Sequence, residues 1–386
     1  MLLWVSLLVG SAAALSAILY FLIQQHLDSQ VHPHFPNELI VKFTDGISDE
    51  EINDIHRKAK CEVIGKNEEL GIYTIKSRRK MSRMLKHYKG LSQIEYAEPN
   101  YKFKASYTPN DTYYSYYQYG PQRIQAPSAW DVTQSQASIR IAVVDTGVEL
   151  NHSDLRGKLL NGYDFVNNDS FPNDGNGHGT HVAGIAAAVT NNALGIAGVA
   201  PLASILPVRV LGNDGSGSLT AVANGIIYAA NQGAKVINLS LGSPAPSSTL
   251  QNAIQYAWNK GAVIVAAAGN DASPTPNYPA NYPNVIAVAS TNENDFRSSF
   301  SNYGRWVEVA APGEDILSTY IGNRYAYLSG TSMASPHVAG LAALLLAQGR
   351  NNVQVRDIIL RTSDPIRGTG TLWQYGRINA ARAVRS

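Results

Sequence analysis

Five apolar runs in the central part of the chain constrain its fold more than any other feature. The runs are IRIAVVDTGV, ASILPVRVL, AKVINLSLG, AVIVAAAGN and NVIAVAS. Continuous apolar runs of this length are typical of strands that are buried on both faces of a parallel sheet. Helical patterns such as HVAGIAAAV, LTAVANGIIYAANQG and STLQNAIQYAWNKG separate them. The alternation predicts a doubly wound, mostly parallel α/β sheet, whose ligands bind beyond the carboxyl ends of the strands.

The charged residues divide the 386-residue chain into three segments. Residues 38–105 carry 14 Lys/Arg and 11 Asp/Glu, which is 25 charges in 68 residues, whereas 106–386 carry 17 and 17, which is 34 charges in 281. The first 37 residues contain a single charged side chain, Asp28. The net charge of +2 and the absence of a basic stripe exclude nucleic acid as the expected partner. The single cysteine, Cys61, excludes an intramolecular disulfide and a cysteine-based metal site.

The first segment begins with an uncharged run, Met1 to Ile23. About 20 apolar residues suffice to cross a bilayer, so this run is expected to engage the export machinery. Residues 1–25 are therefore a cleaved signal peptide or an uncleaved signal anchor. Either alternative places the rest of the chain outside the cytoplasm, as a secreted protein or as a membrane-anchored precursor.

The second segment, residues 38–105, has the pattern of a small α/β module. Strand patterns such as ELIVKF, CEVIG, GIYTIKS and QIEYAEPNYKF alternate with two charged helical patterns. The order βαββαβ predicts a ferredoxin-like α+β domain. Charge-rich helices are usually solvated faces, so composition alone indicates only a compact accessory domain.

Three motifs in residues 106–386 carry chemistry. Asp145 ends the first apolar run, HGTHVAG places His178 at the start of a helix, and GTSMASPHVAG places Ser332 before a long apolar helix. His178 and His181 alone would suggest a zinc pair, but the acid of an HExxH motif is missing. Ser332 alone would be read as an N-cap. Together the Asp, His and Ser supply the carboxylate, base and nucleophile that acyl transfer requires.

The motifs VVDTGV, HGTHVAG, AAAGN and GTSMASPHVAG resemble those of the subtilisin-like serine peptidases, in the chain order Asp, His, Ser. The resemblance covers essentially all of 106–386 and is closest to the thermitase branch. It implies a secreted, monomeric serine endopeptidase of broad specificity that acts on proteins and peptides. It assigns Ser332 as nucleophile, His178 as general base and Asp145 as the residue that orients the imidazole. Asn270 would donate its amide to the oxyanion together with the Ser332 N–H.

The resemblance also implies where a substrate binds. An extended peptide would pair with the backbone of two segments, formed by Ser240, Leu241 and Gly242 and by Gly215, Ser216 and Gly217. No acid is evident around the expected primary pocket at Ala267, Gly269 and Asn277. We therefore expect an apolar or small residue, rather than Arg or Lys, before the cleaved bond.

Calcium is the cofactor that the resemblance implies. Oxygen ligands suit Ca²⁺, and the strong site of the thermitase branch maps onto the side chains of Asp111, Asp154 and Asn192 and the carbonyls of Val189, Leu194 and Ile196. A weaker second site maps onto Asp164, Asn167, Asp169 and Asn173, where Asn167 replaces an acid of the family. The alternative is that these Asp- and Asn-rich loops are ordinary turns.

By the same resemblance, residues 38–105 are a propeptide that inhibits the enzyme and assists its folding. The predicted cut lies at Ser106/Tyr107, and the precursor is expected to process itself. The chain is expected to be an active secreted enzyme, and two alternatives stay open at this point. It could be an inactive relative that only binds peptides, or a protease that remains anchored to the membrane.

Overall fold

The computed structural model describes residues 34–102 and 107–386. The chain divides into two compact units between residues 105 and 106. The predicted signal segment, residues 1–25, and the predicted cut after Ser106 lie outside the described residues. Within the two described ranges, no helix combines the length and the apolar character needed to cross a membrane.

The first unit has the predicted βαββαβ order. Its elements are β1 (His34–Phe43), α1 (Asp49–Ala59), β2 (Glu62–Asn67), β3 (Ile72–Lys76), α2 (Met81–Lys89) and β4 (Ile94–Tyr101). The strands form an antiparallel sheet in the order β2-β3-β1-β4, which is the ferredoxin-like arrangement. Apolar residues that alternate along β1, such as Leu39 and Val41, pack with Ile52 of α1 and Met84 of α2. This small core belongs to the first unit alone.

The second unit is built on an eight-stranded sheet. Its strands are β5 (Arg140–Asp145), β6 (Tyr163–Asp164), β7 (Ser204–Arg209), β8 (Val236–Leu239), β9 (Val263–Ala267), β10 (Val285–Thr291), β11 (Val309–Pro312) and β14 (Gly376–Arg377). The order is β14-β11-β10-β9-β8-β5-β7-β6, and the neighbouring strands pair in parallel. A separate antiparallel hairpin joins β12 (Ile316–Tyr320) to β13 (Arg324–Leu328). The predicted doubly wound, mostly parallel α/β fold is confirmed.

Helices cover both faces of this sheet. They are α3 (Tyr114–Tyr117), α4 (Tyr119–Arg123), α5 (Ala126–Trp130), α6 (His178–Ala187), α7 (Leu219–Asn231), α8 (Ser248–Asn259), α9 (Thr331–Leu346), α10 (Asn352–Thr362) and α11 (Ala380–Val384). Successive residues of β5 point into the two cores on opposite faces of the sheet. Ile141 and Val143 belong to the core shared with α6 and α9, and Ala142 and Val144 belong to the core shared with α7 and α8. The two-sided burial explains why these strands read as unbroken apolar runs.

The strand order places the site residues at one edge of the sheet. After β5, the chain adds β6 and β7 on one side and β8 to β10 on the other, so the direction of winding reverses at β5. The carboxyl ends of β5, β8 and β9 are neighbours there. This is the topological switch point at which open α/β sheets bind their ligands.

Candidate active site

Asp145 and His178 meet at the carboxyl end of β5. Asp145 is the last residue of β5 and is fully buried, and His178 is the first residue of α6. The Nδ1 atom of His178 lies 2.7 Å from Oδ1 of Asp145. The same oxygen accepts the backbone N–H of Thr146 at 2.7 Å. The pair therefore holds one imidazole nitrogen at a buried carboxylate and leaves Nε2 for a reacting group.

The surroundings of His178 favour its charged form. Burial alone would lower the pKa of the imidazole, but the charge and hydrogen bond of Asp145 raise it above its usual value. The charge of Asp174 contributes in the same direction. The site thus stabilises an imidazolium of the kind that forms when a general base takes a proton.

The approach of α6 to β5 depends on glycine. A Cβ at Gly179 would collide with the carbonyl oxygen of Gly147 and would lie 3.2 Å from Oδ1 of Asp145. Any larger residue at Gly179 would therefore push the helix, and His178 with it, away from Asp145. The close approach of the two backbones is the physical reason for a glycine in the HGTH motif.

Ser332 lies in the first turn of α9, beside the end of β8. Its hydroxyl donates to the carbonyl oxygen of Ser240 at 3.1 Å, and the Ser240 hydroxyl donates to the Ser332 carbonyl at 2.8 Å. Ser240 lines the same cleft as His178. No hydrogen bond joins Ser332 to His178 in the described structure, so the predicted Ser–His contact requires the Ser332 side chain to rotate. Catalytic hydrogen bonds often tighten only when substrate is bound.

The orientation of the Asn270 amide follows from its neighbours. Asn270 lies three residues beyond the end of β9. Its Oδ1 atom accepts both the backbone N–H and the hydroxyl of Thr331, each at 2.9 Å. Because two donors hold the oxygen, the amide nitrogen is left as a donor beside the start of α9. The backbone N–H of Ser332 also has no partner within the described residues.

An open cleft of about 690 Å³ runs past His178. It brings together all six residues that were predicted to bind the substrate backbone, Gly215, Ser216, Gly217, Ser240, Leu241 and Gly242. Within the described chain, Gly217, Leu241 and Gly242 make no backbone hydrogen bonds, so both walls present free N–H and C=O groups. Such walls can pair with an extended peptide.

The predicted primary pocket is lined by an amide. A Cβ built on Gly269 would lie 2.8 Å from Nδ2 of Asn277, and a Cβ on Gly242 would meet the same atom. Asn277 therefore lies between Gly242 and Gly269. The side chains that line the described cleft include no carboxylate.

The six residues of the first predicted calcium site lie together around Asp154. Both Asp111 and Asp154 are buried, at 4% and 0% exposure. Asp111 accepts the N–H of Asn191 at 2.8 Å, and Asp154 accepts the N–H of Ile196 at 2.9 Å and Nδ2 of Asn192 at 2.8 Å. The remaining two residues bond to these: Val189 to the Asp154 carbonyl and Leu194 to the Asn192 side chain.

The electrostatics of this cluster suit a cation. Burial raises the pKa of Asp154 to about 6, and repulsion from Asp111 adds to that rise. Burial also raises the pKa of Asp111. Neither carboxylate forms a salt bridge with Lys or Arg in the described residues. Among the described residues, no three His, Cys, Asp or Glu side chains are placed so that they could hold a metal ion together. A cation at Asp111 and Asp154 would therefore also need amide and carbonyl oxygens, which Ca²⁺ accepts.

The residues of the second predicted calcium site, around Asp164, bond to other groups of the protein, and this site stays a prediction. Asp164 is buried, and its Oδ2 atom forms a 2.7 Å ion pair with Arg209. Its Oδ1 atom accepts the N–H groups of Val166 and Asn167. Asp169 accepts the N–H of Phe171 in its own loop, and Asn173 accepts the N–H of Leu150 in the segment after β5. An internal cation, Arg209, already neutralises the one buried acid of this set.

Sequence reasoning missed the residues that hold the site together. Asp174 caps the start of α6, Thr146 links Asp174 to β5, and Thr331 orients Asn270. Asn238 is fully buried on β8 and bonds to the hydroxyls of Ser240 and Ser335. Ser240 in turn donates to the carbonyl of Ser332. The DGNGHGT and GTS motifs contain two of these residues, Asp174 and Thr331, and VVDTGV contains Thr146, but a short polar residue in a turn is not by itself a functional signal.

The family comparisons agree with this geometry. The subtilase family matches residues 136–377, and the fervidolysin N-terminal prodomain matches residues 25–100. A thermophilic serine proteinase from Bacillus sp. (strain AK1) is 62% identical over 291 residues, which are 75% of this chain and 73% of the relative. Thermitase from Thermoactinomyces vulgaris is 64% identical over 279 residues, 72% of this chain and 100% of the relative.

A solved structure gives the same result at the level of the fold. Proteases from Pseudoalteromonas arctica PAMC 21717 align with a TM-score of 0.68 and 37% identity, over 72% of this chain and 99% of that chain. The predicted resemblance to the thermitase branch is thereby confirmed. The chain is a thermitase-like serine proteinase with an N-terminal prodomain, and it belongs to the subtilase family.

Proposed function

We propose that this subtilase is a secreted endopeptidase of broad specificity that hydrolyses peptide bonds through Asp145, His178 and Ser332. One observation carries the proposal: the Asp145–His178 pair opens onto a cleft whose two walls present unpaired backbone groups. The pair supplies an oriented base, and the cleft supplies a place for an extended peptide. All of these residues come from one chain, so a monomer is sufficient.

In the proposed reaction, the Ser332 hydroxyl turns from the Ser240 carbonyl towards Nε2 of His178. His178 takes its proton as Oγ attacks the carbonyl carbon of the substrate, and then gives the proton to the leaving amine. Asp145 holds Nδ1 and stabilises the imidazolium. Water repeats the sequence on the acyl-enzyme and releases the acid product.

Two donors are available for the negative oxygen of the tetrahedral intermediate. They are Nδ2 of Asn270, whose orientation Thr331 determines, and the free N–H of Ser332 near the positive end of α9. Both are held in place before substrate arrives, which is the condition for effective stabilisation of developing charge.

The cleft supports recognition of backbone rather than of charge. Its apolar lining includes Leu211, Leu219, Val222 and Leu250. Without a carboxylate in the described lining, a basic side chain would find no partner. We therefore propose broad specificity. The preference for an apolar or small residue before the cleaved bond rests on the expected primary pocket, where Ala267, Gly269 and Asn277 supply no acid.

Calcium at the Asp111–Asp154 cluster is part of the proposal. Asp111, Asp154 and Asn192 would supply side-chain oxygens, and Val189, Leu194 and Ile196 would supply carbonyls. Bound calcium would offset the repulsion between the two buried carboxylates and stabilise the loop 189–196. The second set, around Asp164, is not proposed as a site.

The precursor is proposed to be exported and to process itself. The uncharged run Met1 to Ile23 supports export, and the match of residues 25–100 to a prodomain supports a removable N-terminal unit. In this proposal residues 38–105 inhibit the catalytic unit until they are cut away. A retained anchor would instead leave an active protease on the membrane, and N-terminal sequencing of the secreted protein distinguishes the two.

The test compares Ser332→Ala with Ser329→Ala in the full-length precursor. Ser329 is an exposed serine three residues away that bonds to Asp315, so it is a matched control. We expect the Ser332→Ala chain to remain at precursor length and to leave casein intact. The Ser329→Ala chain is expected to mature and to be blocked by a serine-directed sulfonyl fluoride. Maturation of the Ser332→Ala chain at the parent rate would contradict the proposal.

A further inference from the structure

Asp174 is a buried carboxylate four residues before His178 that takes no part in the proposed reaction. It is 4% exposed and accepts five hydrogen bonds. One oxygen receives the Thr146 hydroxyl and the N–H groups of Asn176 and Gly177, each at 2.9 Å. The other receives the N–H of Thr180 at 3.0 Å and its hydroxyl at 2.7 Å.

These bonds join the two elements that carry the catalytic pair. Thr180 belongs to the first turn of α6, and Gly177 is the N-cap residue of that helix. Thr146 follows Asp145 directly, and its N–H donates to Oδ1 of Asp145. The Thr146 hydroxyl also accepts the N–H of Gly179 at 2.9 Å. A continuous set of hydrogen bonds therefore runs from the Asp145 carboxylate through Thr146 and Asp174 to the start of α6.

The charge of Asp174 also acts at the imidazole. The elements that pack against α6 carry several other titratable groups, which are Arg140 and Asp145 on β5, Asp154 in the turn Ser153–Leu155, Arg209 on β7, Tyr320 on β12 and His337 on α9. Asp174 lies in the loop before α6, and His181 lies on α6 itself. Of these, Asp145 and Asp174 raise the pKa of His178, against the effect of burial. Removing the Asp174 charge would therefore make the imidazolium less stable.

We infer that Asp174 is a positioning residue that fixes the distance between Asp145 and His178 and supports the positive charge of the imidazolium. The inference rests on the proposed triad. The two effects can be separated with Thr146, because its hydroxyl bonds to both Asp174 and Gly179 but carries no charge.

The test measures kcat, KM and the pH dependence of kcat/KM for Asp174→Asn and Thr146→Val, with a peptide p-nitroanilide as substrate. Active sites are counted with a sulfonyl fluoride, so that kcat refers to folded enzyme. For Asp174→Asn we expect kcat to fall about 10- to 100-fold with little change in KM, because the imidazole is misplaced. The acid limb of its kcat/KM–pH profile should also move to lower pH, because loss of the Asp174 charge lowers the pKa of His178. Thr146→Val should lower kcat without moving that limb, because the charge remains.

Asp364→Asn is the matched control. Asp364 is also a carboxylate with several partners, since it bonds to Arg377, Asn379 and Arg382 near the C-terminus. Its loss should lower stability but leave kcat and the acid limb as in the parent. A kcat per titrated site within about twofold of the parent and an unmoved acid limb in Asp174→Asn would overturn the inference.

If Asp174→Asn yields no folded enzyme, Thr146→Val decides alone, and a kcat within about twofold of the parent would count against the positioning role. Ser332→Ala, assayed in parallel, separates the two proposals. Activity of Ser332→Ala close to that of the parent would refute the triad itself, because loss of the nucleophile should leave only the small residual catalysis of the oxyanion donors and of binding. An inactive Ser332→Ala beside a normal Asp174→Asn would refute only the role of Asp174.

Discussion

At the scale of single residues, the orientation of one amide decides what the site can stabilise. An Asn side chain can present either oxygen or nitrogen, and an oxyanion needs the nitrogen. In this chain Thr331 supplies two donors to Oδ1 of Asn270, so the donor end is the one left free. Asn270 is exposed to solvent, yet its direction is set before any substrate binds.

Replacement of Asn270 by Ala is expected to lower kcat about 100- to 1000-fold, which is the magnitude measured for the equivalent donor of subtilisin, with little effect on KM. The loss falls on kcat because the donor acts only in the transition state. Thr331→Val, which removes one of the two donors to the amide oxygen, should cause a smaller loss of kcat. Steady-state kinetics on matured, titrated enzyme check both values; a parent-like kcat in Asn270→Ala would exclude its role as a donor.

The sequence identified the candidate reacting residues but not the residues that hydrogen-bond to them. Asp145, His178 and Ser332 lie in three motifs that together supply a carboxylate, a base and a nucleophile, so the sequence alone indicates acyl transfer. Asp174 and Asn238 are different, because their meaning depends on which backbone groups the fold brings to them. The direction of the Ser332 hydroxyl, towards Ser240 rather than His178, also depends on a rotamer that no pattern encodes.

At the scale of elements, the hydrophobic pattern of the sequence predicted the long buried strands and helices but not the short ones. Strands β5, β7, β8, β9 and β10 are apolar on both faces and therefore stand out in the sequence. The two-residue strands β6 and β14 are too short for any periodicity. In the β12–β13 hairpin, β12 is mostly buried and mixes apolar residues with Ser and Thr, whereas β13 is half-exposed and contains two Tyr residues, so the hairpin is defined by its pairing rather than by its composition.

In the first unit, α1 carries a histidine that is buried in an aromatic cluster. His56 is 3% exposed, and the rings of Phe43, Tyr73 and Tyr88 lie within 5.9 Å of its own. Its Nδ1 atom lies 2.9 Å from the Tyr88 hydroxyl, whereas Nε2 has no partner among the described residues. Burial lowers the pKa of His56 from 6.5 to about 4.

The first unit should therefore lose stability as the pH falls. Since the unfolded chain takes up a proton near pH 6.5 and the folded unit only near pH 4, the stabilisation is complete above pH 6.5 and declines between these values. Hydrogen exchange of α1 and β1 in the unprocessed Ser332→Ala precursor, at neutral pH and near pH 5, measures the effect. His56→Phe should reduce the pH dependence, whereas His34→Phe, at the half-buried start of β1, should retain it. Equal protection at both pH values in the parent would contradict the prediction.

At the scale of the whole molecule, the catalytic unit has no disulfide to stabilise it. The single cysteine, Cys61, lies in the first unit and is free. The two cores that flank the sheet contribute to its stability, and the proposed calcium ion would add to it. The cluster around Asp154 joins residues near 111, 154 and 189–196, so one ion there would hold together segments that are far apart in sequence.

Removal of calcium with a chelator should lower the melting temperature of the sulfonyl-inhibited catalytic unit. At a calcium concentration 100 times the Kd the ion contributes about 2.7 kcal/mol. For a domain of this size that corresponds to roughly 5–10 °C. Asp154→Asn should abolish the difference between calcium and chelator. Asp164→Asn should lower stability, because it leaves Arg209 without its partner, but it should preserve the calcium effect. Loss of the calcium effect in Asp164→Asn but not in Asp154→Asn would place the ion near Asp164 and contradict the proposed site.

The position of α9 sets the order in which the enzyme can become active during synthesis. This helix is buried along its whole length except at Ser332, and it packs against β8, β9, β10 and α6, all of which precede it in the chain. A nascent chain that ends before residue 331 would contain Asp145, His178 and the residues of the cleft but not Ser332, the proposed nucleophile. On that proposal, peptide hydrolysis must wait until about the last seventh of the chain has been translated and packed, so the layout of the fold itself would protect the cell from a half-made protease.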